Sequence, residues 1–270
     1  MSEQRVHGEG HLQGYTLMIA PNGEDFWKPA CTPDGNYLKR GFTYAIPRHM
    51  REFPIAVEAN DPPLIDGEWE GGPCFIIGGG PSLRDFDWKR LKGKKTIAIN
   101  RAFEFFDPSV IFSLDGRFYE WLSNLEFGLD AFNRYNALKT VRCIINTDNT
   151  VYPPNVWRIP AFPNPGGWSP KLVYGLPASD NSGVGALNMA VLLGANPVYL
   201  LGFDMSGHYH GEQVHFHDGY PVKNRARQYA KFRASFNMVA GRAKSQTRIV
   251  NLNPKSKLEC FEFGDIDEVL

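Results

Sequence analysis

The stretch that decides the fold is CFIIGGGPSL, residues 74–83. Its first four residues, Cys74–Ile77, are apolar and favour a buried strand. In the turn that follows, Gly78 and Gly80 match the first two glycines of the G-x-G-x-x-G pattern, where they permit a sharp turn and close approach of a phosphate or sugar. The run therefore predicts a strand, a tight turn and a helix over residues 83–91, with a nucleotide pocket lined by Gly78, Gly79, Gly80, Pro81 and Ser82.

Two departures separate this turn from common nucleotide motifs. The third glycine position holds Leu83, and the next predicted strand ends in Asn100, where an NAD site would place an acidic residue. The chain also lacks the G-x-x-x-x-G-K-[ST] pattern of a P-loop. These differences disfavour an NAD enzyme and a P-loop NTPase.

Short apolar runs alternate with helical patterns after the glycine turn, as in parallel sheets with crossover helices. The fold class predicted is α/β, a Rossmann-like mostly parallel sheet with flanking helices. We expect strands at 96–99, 110–114, 141–145, 197–203 and 248–252, and helices at 118–132, 182–193 and 229–239, before a frayed acidic tail.

The chain divides by composition into an irregular N-terminal arm over 1–70 and a Rossmann-like domain over 71–270. Proline and glycine punctuate the arm, and they also predict a long loop over 152–178.

The four cysteines are far apart, which disfavours a disulfide framework. No apolar run approaches the ~18 to 20 residues of a membrane span, and the first residues lack a secretory pattern, so we expect a cytoplasmic protein.

Charge is balanced overall but unevenly distributed. Lys plus Arg and Asp plus Glu each total 29, yet residues 219–258 hold ten basic residues and no acidic one. Such a run can attract phosphates, with Arg225 and Arg227 as candidates, or a nucleic acid. It can equally be a solvated helix face.

Polar residues follow several predicted strands at one edge of the sheet, where open α/β folds bind ligands. Asn100, Asp115 and Asp204 hold these positions. Asn181, Ser182 and Gly183 open a helix whose N–H groups and dipole favour an anion, and we expect the Ser182 hydroxyl to cap that helix.

A histidine cluster forms the second candidate centre. His208, His210, His215 and His217 fall within eleven residues and precede Asp218. A histidine beside a carboxylate is a natural general base or acid, because its pKa lies near neutral pH. The same residues could bind a metal ion, or form a polar loop without chemistry.

Taken in order, FIIGGGPSL, AINRAF, VIFSLDGRFYEWL and NSGVGALNMAVLLGANPVYLLGFDM resemble the motifs of a bacterial sialyltransferase-like family, uncharacterised family 115. That family includes motility accessory factor glycosyltransferases, 6-hydroxymethylpterin diphosphokinase-like proteins and phage-encoded members. More distantly, the motifs are similar to the CMP-sialic-acid-dependent sialyltransferases of glycosyltransferase family 42. The resemblance covers about residues 73–218.

This resemblance implies roles for particular residues. Gly78, Gly80, Pro81 and Ser82 would line a nucleotide pocket, Asn100 would contact ribose or phosphate, and Ser182 with Gly183 would bind from the opposite side. His215 or His217 would be the base, and Tyr209 and Tyr220 are candidates for holding the leaving phosphate. The sialyltransferase pattern has Asn where this chain has Gly79, so the resemblance does not carry specificity for CMP over to this chain.

The function predicted is a nucleotide-sugar-dependent glycosyltransferase that needs no metal cofactor, with a histidine acting on an acceptor hydroxyl, Asp218 orienting it, and Arg225 and Arg227 offsetting phosphate charge. One alternative is a pyrophosphokinase of the pterin type, which would require ATP and Mg²⁺. Another is a non-catalytic nucleotide-binding phage accessory protein, which would reside in the host cytoplasm.

Overall fold

The computed structural model of the protein describes residues 15–19, 25–29, 43–44, 62–114, 116–147, 150, 152–162, 167–178, 181–206, 215–217, 219–221 and 226–270. Within the predicted N-terminal arm, residues 15–19, 25–29 and 43–44 form a small antiparallel sheet, whereas Leu64 and Trp69 belong to the hydrophobic core of the main sheet. The strands of the small sheet are β1 (Tyr15–Ile19), β2 (Asp25–Pro29) and β3 (Thr43–Tyr44), in the order β2-β1-β3.

The main sheet has eight parallel strands, which confirms the predicted α/β Rossmann-like fold. Its strands are β4 (Cys74–Ile77), β5 (Lys95–Ile99), β6 (Val110–Ser113), β7 (Val141–Asn146), β8 (Val156–Pro160), β9 (Val198–Leu201), β10 (Ile249–Asn251) and β11 (Glu262–Phe263). The order across the sheet is β11-β10-β9-β4-β5-β6-β7-β8. The chain therefore begins the sheet in its interior at β4, builds outwards to β8, then crosses back to place β9 on the other side.

Helices cover both faces of this sheet. They are α1 (Gly116–Ser123), α2 (Leu129–Ala137), α3 (Ser182–Leu192), α4 (Ala226–Lys244) and α5 (Ile266–Val269), with 3₁₀ turns at Pro81–Leu83, Trp88–Leu91, Asn100–Glu104 and Leu172–Tyr174. No described helix is both long and apolar enough to cross a membrane.

The core consists of two apolar layers because successive residues of a strand point to opposite faces. Ile76 and Phe112 pack beneath α3, which is buried over residues 183–190 and contacts four strands as well as α4. Phe75 and Ile111 pack on the other face, in the layer that holds Phe118 of α1. The central strands are therefore buried on both faces, which explains why they are continuous apolar runs and not alternating ones.

Three predicted segments differ in detail. The helix expected over 83–91 is two 3₁₀ turns, since the Asp87 carboxylate accepts from the N–H of Lys89 and starts a second turn. The helix expected over 118–132 is divided into α1 and α2, because Leu125 and Gly128 have positive φ. The loop expected over 152–178 contains β8, whose apolar residues pair with β7 at the edge of the sheet.

The acidic tail is also ordered, not frayed. Arg90 donates to the Asp267 carboxylate at 2.7 Å and to the carbonyl oxygens of Ile266 and Leu270. These bonds hold α5 against the 3₁₀ turn that contains Arg90. The sequence pattern could not indicate this, since the two segments lie about 177 residues apart.

Arg142 of β7 caps the C-terminal end of α2. Its guanidinium is buried and donates to the carbonyl oxygens of Tyr135, Asn136, Leu138 and Thr140. A cation there also meets the negative end of the helix dipole. Burial lowers the pKa of Arg142 from its usual value, and the four carbonyl partners compensate for the lost hydration.

We expect Arg142→Met to lower the free energy of unfolding by about 3 kcal/mol, because several buried carbonyl oxygens lose their donor at once. Urea denaturation checks this. Arg158→Met is the matched control, since Arg158 is an exposed side chain on the neighbouring strand β8, and its loss is expected to change stability by less than about 0.5 kcal/mol. Equal losses in the two variants would contradict the capping role.

Candidate functional site

The glycine turn lies at the point where the sheet changes direction. β4 pairs with β5 on one side and with β9 on the other, so the loops that leave the carboxyl ends of β4 and β9 diverge. In open α/β sheets, the crevice at such a switch point is where ligands bind. The sequence correctly placed residues 78–82 after the first strand of the main sheet, but not their position beside β9.

Backbone and side-chain hydrogen bonds join the two loops across the switch point. The N–H of Gly78 donates to Leu201 O and that of Gly80 to Gly202 O, both at 2.8 Å. Ser82 then donates twice to the Asp204 carboxylate, through its N–H at 3.1 Å and its hydroxyl at 2.7 Å. We refer to these Ser82–Asp204 hydrogen bonds as the switch-point clamp.

The clamp explains why the turn needs glycine. A Cβ on Gly80 would overlap the Asp204 carboxylate, and a Cβ on Gly78 would lie 2.7 Å from Gly202 O. Gly202 has φ +69, a conformation that favours glycine. The glycines are therefore required by the neighbouring loop of the same protein, independently of any ligand.

Asp204 is buried, with its two carboxylate oxygens directed to Ser82. Burial raises its pKa, and the hydrogen bonds from Ser82 oppose that rise. Ser256 and Lys257 contact its backbone carbonyl, so the Asp204 loop is also tied to the segment after β10. Asp204 lines the candidate pocket, but its carboxylate serves the clamp.

A cavity of about 270 Å³ opens beside the clamp. Its wall brings together most of the residues predicted from sequence: Gly78, Gly79, Gly80, Pro81, Asn100, Asn181, Ser182, Gly183, Asp204 and His215. Ser82, His217 and Arg227 do not line the cavity, and Arg227 is exposed on α4. Asp115, Asp218 and Arg225, like Tyr209 and the other histidines of the cluster, lie outside the described residues.

The amino-terminal end of α3 forms the wall opposite the glycine turn. The cap of this helix is Asn181, whose Oδ1 accepts from the N–H of Val184 at 3.2 Å, and not the hydroxyl of Ser182 as predicted. Ser182 instead accepts a hydrogen bond from the N–H of Leu114 at 3.1 Å. The hydroxyl is used to attach α3 to the end of β6, because it faces that strand and not its own helix.

Two buried amide atoms in this cavity have no hydrogen-bond partner among the described residues. They are the Nδ2 donor of Asn181 and the Oδ1 acceptor of Asn100. Asn100 has φ +51, which asparagine tolerates better than most residues. A buried polar atom without a partner costs free energy, so the pair marks positions where a ligand can supply hydrogen bonds.

His215 and His217 lie face to face against the glycine turn. Their rings stack with centroids 4.9 Å apart, and Tyr220 meets both edge-on at 5.1 Å. His215 Nδ1 lies 3.3 Å from Gly79 O, and Phe216 N–H donates to the same oxygen. A Cβ on Gly79 would lie 3.2 Å from His215 Nδ1, so this glycine leaves room for the imidazoles.

The hydrogen bonds assign different tautomers to the two imidazoles. His217 Nδ1 accepts from the N–H of Gly219 at 3.0 Å, so in the neutral ring the proton is on Nε2. His215 Nδ1 can only donate to the Gly79 carbonyl, which leaves the Nε2 lone pair available. Of the two candidates, His215 lines the cavity and has the nitrogen that a general base requires.

Both imidazoles are held in the neutral form. Burial lowers the pKa of His217 to about 2, with further lowering from His215 and Arg101. The pKa of His215 is lowered mainly by burial and also by Arg101, against an opposing hydrogen bond to Gly79 O. At neutral pH both rings are uncharged.

The sequence reasoning missed two groups of residues at this site. Arg101 directly follows Asn100 in AINRAF, yet nothing in the pattern distinguished it from a surface cation. An aromatic rim from α1 and α4 also lines the cavity, comprising Phe118, Trp121, Tyr229 and Phe232. The helical spacing of these aromatic residues indicated core packing, which Phe118 shows, whereas Trp121 and Phe232 are only partly buried.

A metal site is the remaining alternative for the histidine cluster. Within the described ranges, no group of three or more His, Cys, Asp or Glu side chains is arranged to hold a metal ion. The described imidazoles stack face to face at an interplanar angle of 6°, an arrangement in which their nitrogens do not converge on a common point.

No protein-family model matches the chain, and no curated protein matches it significantly. Among solved structures, it is similar to the MAf glycosyltransferase from Magnetospirillum magneticum AMB-1, with 16% identity and a TM-score of 0.53 over 78% of this chain. The match spans 36% of that protein. It is also similar to the monofunctional alpha-2,3-sialyltransferase Cst-I from Campylobacter jejuni, with 17% identity, a TM-score of 0.42, and coverage of 75% of this chain and 82% of that one. These structural neighbours are glycosyltransferases, and the likeness to the first shows a shared fold.

We expect Gly80→Ala to lower the free energy of unfolding by about 2 kcal/mol, because the added methyl group displaces the Asp204 carboxylate from Ser82. Gly241→Ala is the control: no atom lies within 4 Å of its Cβ position on the exposed face of α4, and removing a helical glycine should raise stability by up to about 1 kcal/mol. Urea denaturation measures both. Unchanged stability in Gly80→Ala would contradict the clamp.

The buried neutral imidazoles also predict a pH dependence of stability. An unfolded histidine takes up a proton near pH 6.5, whereas His217 in the folded protein does so only near pH 2. The unfolded state therefore binds more protons in this window, and stability falls as the pH decreases below about 6.5, by up to about 1.4 kcal/mol per pH unit for this group.

Urea titrations between pH 7.5 and 5 check this against His217→Asn, which offers Gly219 N–H an acceptor but does not titrate. The variant should lose stability less steeply with falling pH than the natural protein. Parallel curves for the two proteins would show that His217 is not buried in neutral form.

Proposed function

We propose that the protein is a nucleotide-sugar-dependent glycosyltransferase whose donor binds in the switch-point cavity and whose general base is His215. The observation that carries the proposal is the composition of that cavity. A neutral imidazole with an available lone pair lies on the wall of a cavity that is also lined by Asn100 and Asn181, whose Oδ1 and Nδ2 have no partner among the described residues. A proton acceptor and two side-chain amides that can form further hydrogen bonds suit a polar substrate with several hydroxyl groups.

The chemistry follows from these positions. His215 Nε2 takes the proton of an acceptor hydroxyl while that oxygen forms a bond to the anomeric carbon of the donor sugar. The bond between that carbon and the phosphate oxygen breaks, and its electron pair leaves with the nucleotide. His215 ends protonated, and the proton passes to solvent after product release.

The leaving phosphate suits the amino-terminal end of α3. The first turn of a helix has N–H groups without acceptors in the helix, and its dipole favours negative charge. Asn181 adds a side-chain donor at the same place. Arg117 lines the cavity, whereas Arg227 is an exposed residue of α4 that does not line it, so we assign charge compensation to Arg117 instead of Arg227, one of the two arginines predicted from sequence.

The fold shared with the MAf glycosyltransferase supports a transferase without identifying the donor or the acceptor. Asp218, Arg225 and the nucleic-acid interaction of the basic run stay predictions. The ATP-dependent pyrophosphokinase and the non-catalytic nucleotide-binding protein are the alternative outcomes of the experiments below.

Donor binding is tested by thermal shift with CMP, CDP, UDP, GDP, ATP and CMP-sialic acid, each with and without Mg²⁺. A ligand at about a hundred times its Kd adds ~2.7 kcal/mol, which moves the midpoint by several degrees. We expect a metal-independent shift with one nucleoside phosphate, lost in Asn100→Ala and Asn181→Ala and kept in Asn133→Ala, an exposed asparagine of α2. A shift only with ATP and Mg²⁺ would favour the kinase.

The base is tested by turnover of the donor so identified. His215→Ala should lower kcat by about 10²-fold or more while the nucleotide-induced thermal shift persists, because the imidazole acts on the acceptor. The rate for the natural protein should fall on acidification only below pH 6.5, since burial lowers the pKa of His215 from that ordinary value. Full activity of His215→Ala would rule out this base, and no turnover with any donor would favour the non-catalytic reading.

A further inference from the structure

Arg101 is a buried cation directly behind the histidines. It lies in the 3₁₀ turn after β5 and is 7% exposed. Its Nε and Nη2 donate to the two carboxylate oxygens of Glu104 in the same turn, at 2.5 Å and 2.9 Å, and so form a bidentate ion pair. The Phe127 ring lies 4.6 Å from its guanidinium carbon, so the head group is fixed on two sides.

The third guanidinium nitrogen of Arg101, Nη1, is directed to the loop that contains His215, His217 and Gly219. Nη1 donates to Gly219 O at 2.7 Å, a bond across 118 residues of sequence. The N–H of this same Gly219 donates to His217 Nδ1. His217 in turn stacks on His215, which lies against Gly79 O. A continuous series of contacts therefore runs from Glu104 to the cavity wall.

We propose that Arg101 is the positioning residue of the active site, anchoring Gly219 so that His217 keeps one tautomer and presents a fixed face on which the His215 ring lies. The proposal rests on the proposed function only in naming His215 as the base. The placement of the ring by Arg101 stands on the contacts themselves.

The chemistry of the guanidinium explains why arginine holds this position. A planar fork donates to both Glu104 oxygens and to Gly219 O at once. A lysine ammonium at the end of a flexible chain is a point charge that does not reproduce this fork, so it would hold either the carboxylate or the carbonyl less well. Glu104 offsets most of the charge, which permits burial.

Electrostatics adds a second effect of the same residue. The positive charge of Arg101 contributes to lowering the pKa of His215 and of His217, after burial. His215 also has two ionisable neighbours in its own loop, His217 and Tyr220. The other ionisable groups on the described cavity wall are Arg117 of α1, Asp204 after β9 and Tyr229 of α4. Arg101 is the charged residue among the causes acting on His215, so its removal should raise that pKa.

The experiment is an NMR titration of ¹³C,¹⁵N-histidine-labelled protein, with resonances assigned through His215→Asn and His217→Asn. The key variant is Arg101→Met with Glu104→Leu, which replaces the ion pair by apolar side chains and so avoids a lone buried carboxylate. We expect a Tm close to that of the natural protein, a higher pKa for His215, and mixed tautomers for His217. Arg90→Met, which breaks a surface ion pair with Asp267 away from the cavity, should leave both rings unchanged.

Arg101→Lys keeps the charge but not the fork, so the pKa of His215 should move less than in the double variant while the His217 tautomer is still lost. This variant also decides the question if the double variant does not fold. The proposal would be overturned if the His217 tautomer is unchanged in the folded double variant or in Arg101→Lys.

Turnover separates this inference from the proposed function. If the protein is the transferase, the double variant should lose about ten- to a hundredfold in kcat with little change in KM, as expected for a displaced base. If the NMR result is as expected but the natural protein transfers no sugar, the positioning role stands and the proposed function fails. If turnover is observed and both rings are insensitive to Arg101, the function stands and the positioning role fails.

Discussion

The hydrogen bonds between Ser82 and Asp204 are the constraint on which the rest of the site depends. They connect the loop after β4 with the loop after β9 at the place where the sheet changes direction. The glycines beside them permit this approach, because a side chain at Gly80 would occupy the space of the Asp204 carboxylate. The cavity exists because the clamp holds two diverging loops at a fixed separation.

Two different electrostatic arrangements lie next to each other at this site. Burial keeps the imidazoles of His215 and His217 neutral, whereas the nearby cation Arg101 stays charged because Glu104 pairs with it. The result is a proton acceptor that is free at neutral pH, fixed against a stacked neighbour. In this arrangement the imidazole has a lowered pKa but a fixed orientation, which suits a base that acts on a bound hydroxyl.

The parallel fold and the location of the glycine turn could be predicted because they depend on local apolar runs and on glycine spacing. The same reasoning brought Asn100, Asn181 and His215 to one edge, since each follows a strand or opens a helix there. It could not choose between His215 and His217, because the tautomer of His215 depends on Gly79 O, a partner 136 residues away in sequence, and that of His217 depends on the loop conformation that directs Gly219 N–H to it. Nor could it find Arg101, whose role requires a contact across 118 residues.

Local capping chemistry explains the smaller differences. A hydroxyl at the start of α3 was expected to cap it, but Asn181 precedes Ser182 and its carbonyl oxygen reaches the Val184 N–H first. The serine is then free to bond to Leu114 on a neighbouring strand. A sequence pattern shows that a cap is available but does not show which of two adjacent polar residues forms it.

The central place of β4 in the sheet has a consequence for synthesis of the chain. β4 pairs with β5 soon after both leave the ribosome, but its other neighbour β9 follows about 120 residues later. At ~5 to 20 residues per second, one edge of the strand stays unpaired for roughly 6 to 24 s. During that interval the apolar CFII edge is open to pairing with other chains, so the nascent protein is most prone to aggregation before β9 emerges.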